Sequence, residues 1–315
     1  MRAVGCRHFG GPDVLEVVEL PEPEPGEGEV RIRVHTAAVN PTDLILRAGA
    51  MPLRGRTIPG PPHIPGMDAA GVIDAVGPGV GGRLSVGDRV VALVDPFSGG
   101  GGAYAESIAV PAASVALAPA GVDMPAAATL VMNALTARAG LDALALEPGA
   151  IVAVTGAPGA LGGYAVQLAK ADGLRVVADA GPEDHELVRS FGADVVVGRG
   201  GGFVDAVRAE VPGGVDGLID AALLAADVVP AVADGGKIAS FRGWNGPAER
   251  GIGVFPVFVG SRASDTAAIQ RLSDQAAAGA LTLRVADIVP AEQAAAAHAR
   301  LSRGGMRGRL VLTFV

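Results

Sequence analysis

The sequence predicts an α/β protein in two parts, a β-rich first third and, from about Pro148, a doubly wound parallel sheet. Three observations carry this reading. Residues Glu29 to Val39 alternate apolar and polar side chains, the period of a strand with one buried face. Ile151 to Thr155 is a continuous apolar strand; a glycine-rich turn, an alanine-rich helical stretch to Ala171 and a second apolar strand at Leu174 to Ala178 complete a βαβ unit. At 315 residues the chain is long enough for two domains.

In the first part, Ala70 to Val76 and Arg89 to Leu93 are β-rich, with Gly and Pro turns at close spacing, which predicts a compact barrel or sandwich. Gly99 to Gly102 is expected to be a loop. In the second part, strands are expected at Val195 to Val197, Val215 to Ile219, Lys237 to Phe241 and Val254 to Val259, separated by segments long enough for helices. A helical stretch at Pro290 to Leu301 and a last strand at Leu310 to Val315 are expected to return to the first domain.

Composition narrows the functional classes. Hydrophobic residues make up 50% of the chain and charged residues 18%, which excludes a disordered tail. The net charge of −8 disfavours nucleic acid and anionic membrane surfaces, and aromatics at 3% are too few for base-stacking platforms. Charged residues interrupt the first eight positions where a signal core would be apolar, so a cytoplasmic location is expected. Cys6 is the single cysteine, which rules out an intrachain disulfide and a zinc site of several thiolates.

The turn Gly156-Ala157-Pro158-Gly159-Ala160-Leu161-Gly162-Gly163 joins a strand to a helix, the context in which such glycines hold a dinucleotide's diphosphate. Glycine permits the turn, lets the backbone approach phosphate and allows close helix packing, while the helix start offers N–H groups and partial positive charge. Gly156, Ala157, Gly159, Ala160, Leu161 and Gly162 are therefore read as cofactor-binding. At the end of the second strand Asp179 could accept a ribose hydroxyl, yet Ala180 and Gly181 leave room for a 2′-phosphate, so the residues alone leave NAD and NADP open.

With these pieces in place the sequence resembles the medium-chain dehydrogenase/reductase superfamily, and within it the zinc-independent quinone oxidoreductase branch related to ζ-crystallin. The likeness runs through Ala37-Ala38-Val39-Asn40-Pro41-Thr42-Asp43, Ile64-Pro65-Gly66-Met67-Asp68-Ala69-Ala70-Gly71, Val86-Gly87-Asp88-Arg89-Val90, Gly102-Ala103-Tyr104-Ala105-Glu106, Phe191-Gly192-Ala193-Asp194, Asp216-Gly217-Leu218-Ile219-Asp220 and Arg307-Gly308-Arg309-Leu310-Val311-Leu312. The resemblance implies a GroES-like catalytic domain from residues 1–120 and 286–315 around a Rossmann domain at 121–285, with the active site in the cleft between them. It implies NADPH as cofactor, with NADH as the alternative, and adds Phe241, Phe258 and Val259 to the expected cofactor contacts. It also implies a homodimer.

Zinc-dependent relatives surround their ion with cysteine and histidine. Here Asn40 and Asp43 bracket the segment where a ligating cysteine is expected, and Gly66-Met67-Asp68 replaces the histidine-bearing version, so no zinc is expected. His8, His35, His63, His185 and His298 read as packing or surface residues, and Tyr104 as packing in its turn. Without a Lewis acid the acceptor must already be electrophilic, as in a quinone or an α,β-unsaturated carbonyl. Asn40, Thr42 and Asp43 are the expected catalytic residues beside the nicotinamide, with a turn cap as the competing role. Where many relatives carry a substrate-facing tyrosine, Asp43-Leu44-Ile45-Leu46 is aliphatic. The alternatives are an enoyl-thioester reductase, for which Arg47, Arg54 and Arg56 would mark the cleft entrance, and a non-catalytic NADPH-binding redox sensor.

Overall fold

The computed structural model describes residues 1–50, 58–97, 100–246 and 249–314. The chain divides into two compact units, Met1–Met132 with Ala263–Ala277 and Leu283–Val315, and Asn133–Arg262 with Ala278–Thr282.

The first unit opens with β1 (Arg2–Gly5), β2 (Glu16–Glu19), β3 (Glu29–Ala38), α1 (Pro41–Arg47), β4 (Asp68–Val76), β5 (Arg89–Leu93), β6 (Ser107–Pro111), β7 (Val115–Leu117) and α2 (Met124–Ala127). The alternation read in β3 is its burial pattern: Val30, Ile32 and Val34 are buried while Arg33 points to solvent. β3 is also the hub of the unit. It pairs antiparallel with β4 and β6, so that Ile32 lies opposite both Ile73 and Ile108, and its amide groups are satisfied on either side.

In the second unit come α3 (Val131–Leu144), β8 (Ile151–Thr155), α4 (Ala160–Ala171), β9 (Arg175–Ala180), α5 (His185–Ser190), β10 (Val195–Gly198), α6 (Phe203–Glu210), β11 (Val215–Asp220), β12 (Val232–Phe241) and β13 (Gly253–Val257). The six strands form one parallel sheet in the order β10-β9-β8-β11-β12-β13. The chain leaves β8 toward β9 on one side and returns to β11 on the other, so a crevice opens at the carboxyl ends of β8 and β11, the place where doubly wound sheets bind ligands.

Two of the helical connections expected here are absent. Between β11 and β12 only a short 3-10 segment, Ala225–Ala231, forms, because Leu223 and Ala225 take positive φ and Pro230 lacks an N–H. Among the described residues no helix lies between β12 and β13, where Gly243, Gly246 and Gly251 all take positive φ. β13 is an edge strand, which tolerates the missing donor of Pro256.

The chain then returns to the first unit through α7 (Thr266–Ala277), β14 (Val285–Pro290), α8 (Ala294–Ser302) and β15 (Arg309–Thr313). β15 pairs antiparallel with β3 and parallel with β14, completing a seven-stranded sheet in the order β14-β15-β3-β4-β5-β7, with β6 on β3. Helix α7 falls on the other side of the expected 285/286 boundary: Leu117 donates its N–H to Gln270 Oε1 at 3.1 Å, and Ser273 Oγ donates to the Leu117 carbonyl at 2.6 Å. Among the described residues no helix is long and apolar enough to cross a membrane.

Candidate functional site

Two polar constellations stand out, one in each unit. The first is the glycine turn after β8. Gly156 has φ of +65°, and a Cβ on Gly162 would lie 2.2 Å from the Gly156 carbonyl oxygen, so both positions require glycine for geometric reasons. Gly159 is the N-cap of α4 and, as glycine, supplies no side-chain cap; helix starts of this kind offer backbone N–H groups to anions. Thr155 Oγ1 donates to Asp220 Oδ1 at 2.9 Å and accepts from Ala222 N–H at 3.0 Å, tying the ends of β8 and β11 together beside the turn. Phe241 ends β12, and Phe258 and Val259 follow β13, so these expected contacts lie at the carboxyl edge of the same sheet.

Asp179 does not present its carboxylate to a ribose. It is 3% exposed and its Oδ1 accepts the Ala157 N–H at 3.1 Å, so it braces the glycine turn from behind. Burial raises its pKa against the pull of the Ala157 N–H, the Arg199 charge and the Gly156 N–H. Ala180, the last residue of β9, is buried and its carbonyl accepts the Arg199 N–H at 3.2 Å. Arg199 went unread in the sequence because it follows β10, the next strand, and only the β9–β10 pairing brings it to this corner.

The second constellation lies at the amino end of α1. Asn40 is the N-cap and Asp43 the third helical residue; the Asn40 N–H donates to Asp43 Oδ2 at 2.7 Å. The cap role weighed against catalysis is therefore present in the fold. Asn40 and Asp43 are buried, and of the three expected catalytic residues only Thr42 keeps partial exposure.

Around this cap the structure assembles partners that local reading missed. Asn40 Nδ2 donates to Asp68 Oδ2 at 2.9 Å, Met132 N–H donates to Asp68 Oδ1 at 2.7 Å, and the Arg309 guanidinium donates to Asn40 Oδ1 and the Val39 carbonyl. Tyr104 is more than packing: its hydroxyl donates to Asp43 Oδ2 at 3.1 Å and lies 3.1 Å from Nε2 of the fully buried His298. The signal was present in the quoted segments, since Asp68, Tyr104 and Arg309 all fall within them.

Burial dominates the electrostatics here. It pushes the Asp43 carboxyl up to about 7, although the Asn40 N–H, the Tyr104 hydroxyl and Arg309 pull the other way. Asp68 is pushed up to about 6 by burial against the Met132 N–H, Asn40 and Arg309. Burial, with a smaller contribution from Arg47, lowers His298 to about 3 and keeps the imidazole neutral. Arg47, read as marking a cleft entrance, is instead 7% exposed; Arg54 and Arg56 lie outside the described residues. His63 packs by stacking on Phe9, ring centroids 4.5 Å apart. Among the described residues no group of three or more His, Cys, Asp or Glu is placed to hold a metal ion.

Residues 26–120 match the alcohol dehydrogenase GroES-like domain, and residues 191–312 match a family described as zinc-binding dehydrogenase. A crystal structure of an NAD-dependent alcohol dehydrogenase is similar with a TM-score of 0.85 and 33% identity, covering 100% of both chains. A mycobacterial protein complexed with NADPH is similar with a TM-score of 0.83 and 30% identity, covering 99% of this chain and 100% of the other. The chain belongs to the medium-chain dehydrogenase/reductase superfamily, whose two-part architecture of GroES-like and Rossmann domains it shares. Several of the curated proteins it is similar to are named quinone oxidoreductase. The quinone oxidoreductase of Sus scrofa is 32% identical over 225 residues, 70% of this chain and 66% of the relative, so the alignment spans just under two thirds of that protein.

Proposed function

We propose that this chain is an NADPH-dependent oxidoreductase that reduces small apolar quinones or α,β-unsaturated carbonyls without zinc. The observation that carries the reading is the glycine turn at the switch point of the parallel sheet, whose geometry at Gly156 and Gly162 suits close approach of a diphosphate. Gly156 to Gly162 would hold that diphosphate against the start of α4, and Ala180 would adjoin the adenosine ribose. Phe241, Phe258 and Val259 would supply an apolar bed for the nicotinamide. When bound, the reduced cofactor supplies a hydride.

Among the three expected catalytic residues the roles divide by exposure. Thr42 is the hydroxyl proposed to polarise the acceptor carbonyl, while Asn40 and Asp43, both buried, position it by capping α1. The zinc-free reading is supported by the donor set. Both oxygens of Asp43 and both of Asp68 already accept hydrogen bonds, and the single thiol, Cys6, is buried and paired through its backbone with His63. An acceptor reduced without a Lewis acid must already be electron-poor, which points to quinones and enones rather than simple ketones. A cytoplasmic homodimer completes the proposal.

Calorimetry with NADPH and NADH on purified protein, followed by NADPH oxidation against a quinone and enone panel with and without chelator, tests it. Binding of NADPH and turnover insensitive to chelator are expected. Failure to bind either nucleotide, or activity restored only by zinc, overturns the reading; saturable binding with no turnover favours the redox sensor.

A further inference from the structure

The carboxyl end of α1 holds a buried cation with no counter-ion. Arg47 is the last residue of the helix and is 7% exposed, and its Nε and Nη1 are buried without a hydrogen-bond partner. Among the described residues no carboxylate forms an ion pair with it. Its backbone carbonyl accepts the Gly10 N–H at 3.1 Å, which ties α1 to the segment after β1 and leaves the guanidinium unanswered. In the same unit α1, α8 and the 3-10 turn Pro12–Val14 pack on one another, so this end of the helix is enclosed by three elements.

The neighbouring groups do not neutralise it. Among the described residues, charge reaches Arg47 from Cys6 and Asp13. The Cys6 thiol is fully buried and burial pushes its pKa up, so it stays uncharged at neutral pH. Asp13 is exposed, with its Oδ1 beside Gly11 rather than on the guanidinium. From α8, His298 feels the Arg47 charge as a neutral ring; its Nε2 lies against the Tyr104 hydroxyl and its buried Nδ1 has no partner. The helix dipole favours a cation at this end but offers no acceptor to the side chain's N–H groups. Arginine cannot shed its proton to escape, and a buried cation without an anion is costly to any fold.

We infer that Arg47 is the centre of a binding site for a small monoanion, a halide or a short carboxylate, at the junction of α1, α8 and Pro12–Val14. The anion would accept from the guanidinium, and the 7% of Arg47 that stays exposed limits the ligand to one of few atoms. The inference is independent of the dinucleotide reading. It bears on the reaction through α1, which carries Thr42, the proposed acceptor-polarising hydroxyl, near its other end.

The test reads stability against anion identity. Thermal midpoints of wild type, R47M and R47K are measured at constant ionic strength in sodium gluconate, with sodium bromide or sodium formate replacing it stepwise. The wild-type midpoint is expected to rise about 2 °C for each tenfold of anion above its dissociation constant. R47M removes the charge and keeps an apolar stem, so it should match or exceed wild type in gluconate and show no response. R47K should respond at about tenfold higher anion concentration. Anomalous diffraction from a bromide-soaked wild-type crystal needs no variant and is expected to place the ion within hydrogen-bond reach of Arg47. A wild-type midpoint unmoved when bromide or formate replaces gluconate overturns the inference. So does an R47M protein that keeps the response, or bromide bound only away from Arg47 in a protein that responds to bromide. A response to formate alone or to bromide alone supports the site and names its anion. Neither readout involves a nucleotide, so failure here leaves the dinucleotide reading intact.

Discussion

The carboxyl edge of the second unit's sheet and the amino end of α1 in the first unit are both rich in polar groups, and they are built in opposite ways. At the glycine turn five of the residues from Gly156 to Gly162, namely Gly156, Ala157, Gly159, Ala160 and Gly162, carry only a hydrogen or a methyl, so the backbone is open to close approach. At α1 the side chains of Asn40, Asp43, Asp68, Tyr104, His298 and Arg309 are buried and largely satisfy one another. The first arrangement is sensitive to added volume, the second to the loss or titration of a charge.

The largest effect is expected where the backbone is proposed to do the binding. Gly162→Val would push side-chain carbons into the Gly156 carbonyl, where even a Cβ falls at 2.2 Å. NADPH affinity should fall by about 100-fold or more, with about 3 kcal/mol of overpacking strain in urea unfolding. Unchanged affinity in a folded G162V protein would remove the turn from the binding site.

Next comes Arg309→Met, which strips the cation from the buried cluster and leaves Asn40 Oδ1 and the Val39 carbonyl without that donor. Breaking such a cluster on one side should cost about 3–5 kcal/mol in chemical denaturation. Because the turn proposed to bind NADPH lies in the other unit, calorimetry should show a smaller effect on cofactor binding than G162V produces. A larger one would blur the contrast between the regions.

The third prediction concerns pH. Asp43 and Asp68 are raised in the folded state to about 7 and about 6, from 3.8, so the folded protein holds protons that the unfolded chain has released. Stability from these two groups is full below pH 3.8 and is lost as pH rises through 6 and 7. His298, lowered to about 3 from 6.5, acts in the other direction: its penalty is relieved as pH rises from about 3 to 6.5. Asp43→Asn isolates one contribution. Relative to wild type it should gain stability between pH 4 and pH 7 and level off above, read from urea midpoints across that range. A difference independent of pH would show Asp43 to be ionised throughout.

The smallest effect should follow from Tyr104→Phe, which removes one of three donors to Asp43 and leaves His298 Nε2 without its partner. A loss of about 1–2 kcal/mol is expected in urea unfolding. A neutral result would reduce Tyr104 to the packing role first read for it.

Much of this was legible in the chain. The alternation of Glu29 to Val39, the apolar run Ile151 to Thr155 and the glycines at 156, 159 and 162 each report a local requirement, so strand, sheet class and phosphate turn could be read from neighbours in sequence. The missing helices after β11 and β12 were harder, because segment length alone does not show that Leu223 and Ala225 take left-handed conformations. The choice between cap and catalytic role at Asn40 was open for the same reason: either role uses the same residue type.

What the sequence determined by itself is therefore the set of elements and the backbone chemistry of the turn, since periodicity and glycine geometry act over a few residues. Only the tertiary structure decided which charges meet. Asp179 turns onto Ala157, Arg199 arrives beside Ala180, and Arg309 reaches Asn40 across 269 positions, because strand pairing and burial act between residues that the chain keeps apart.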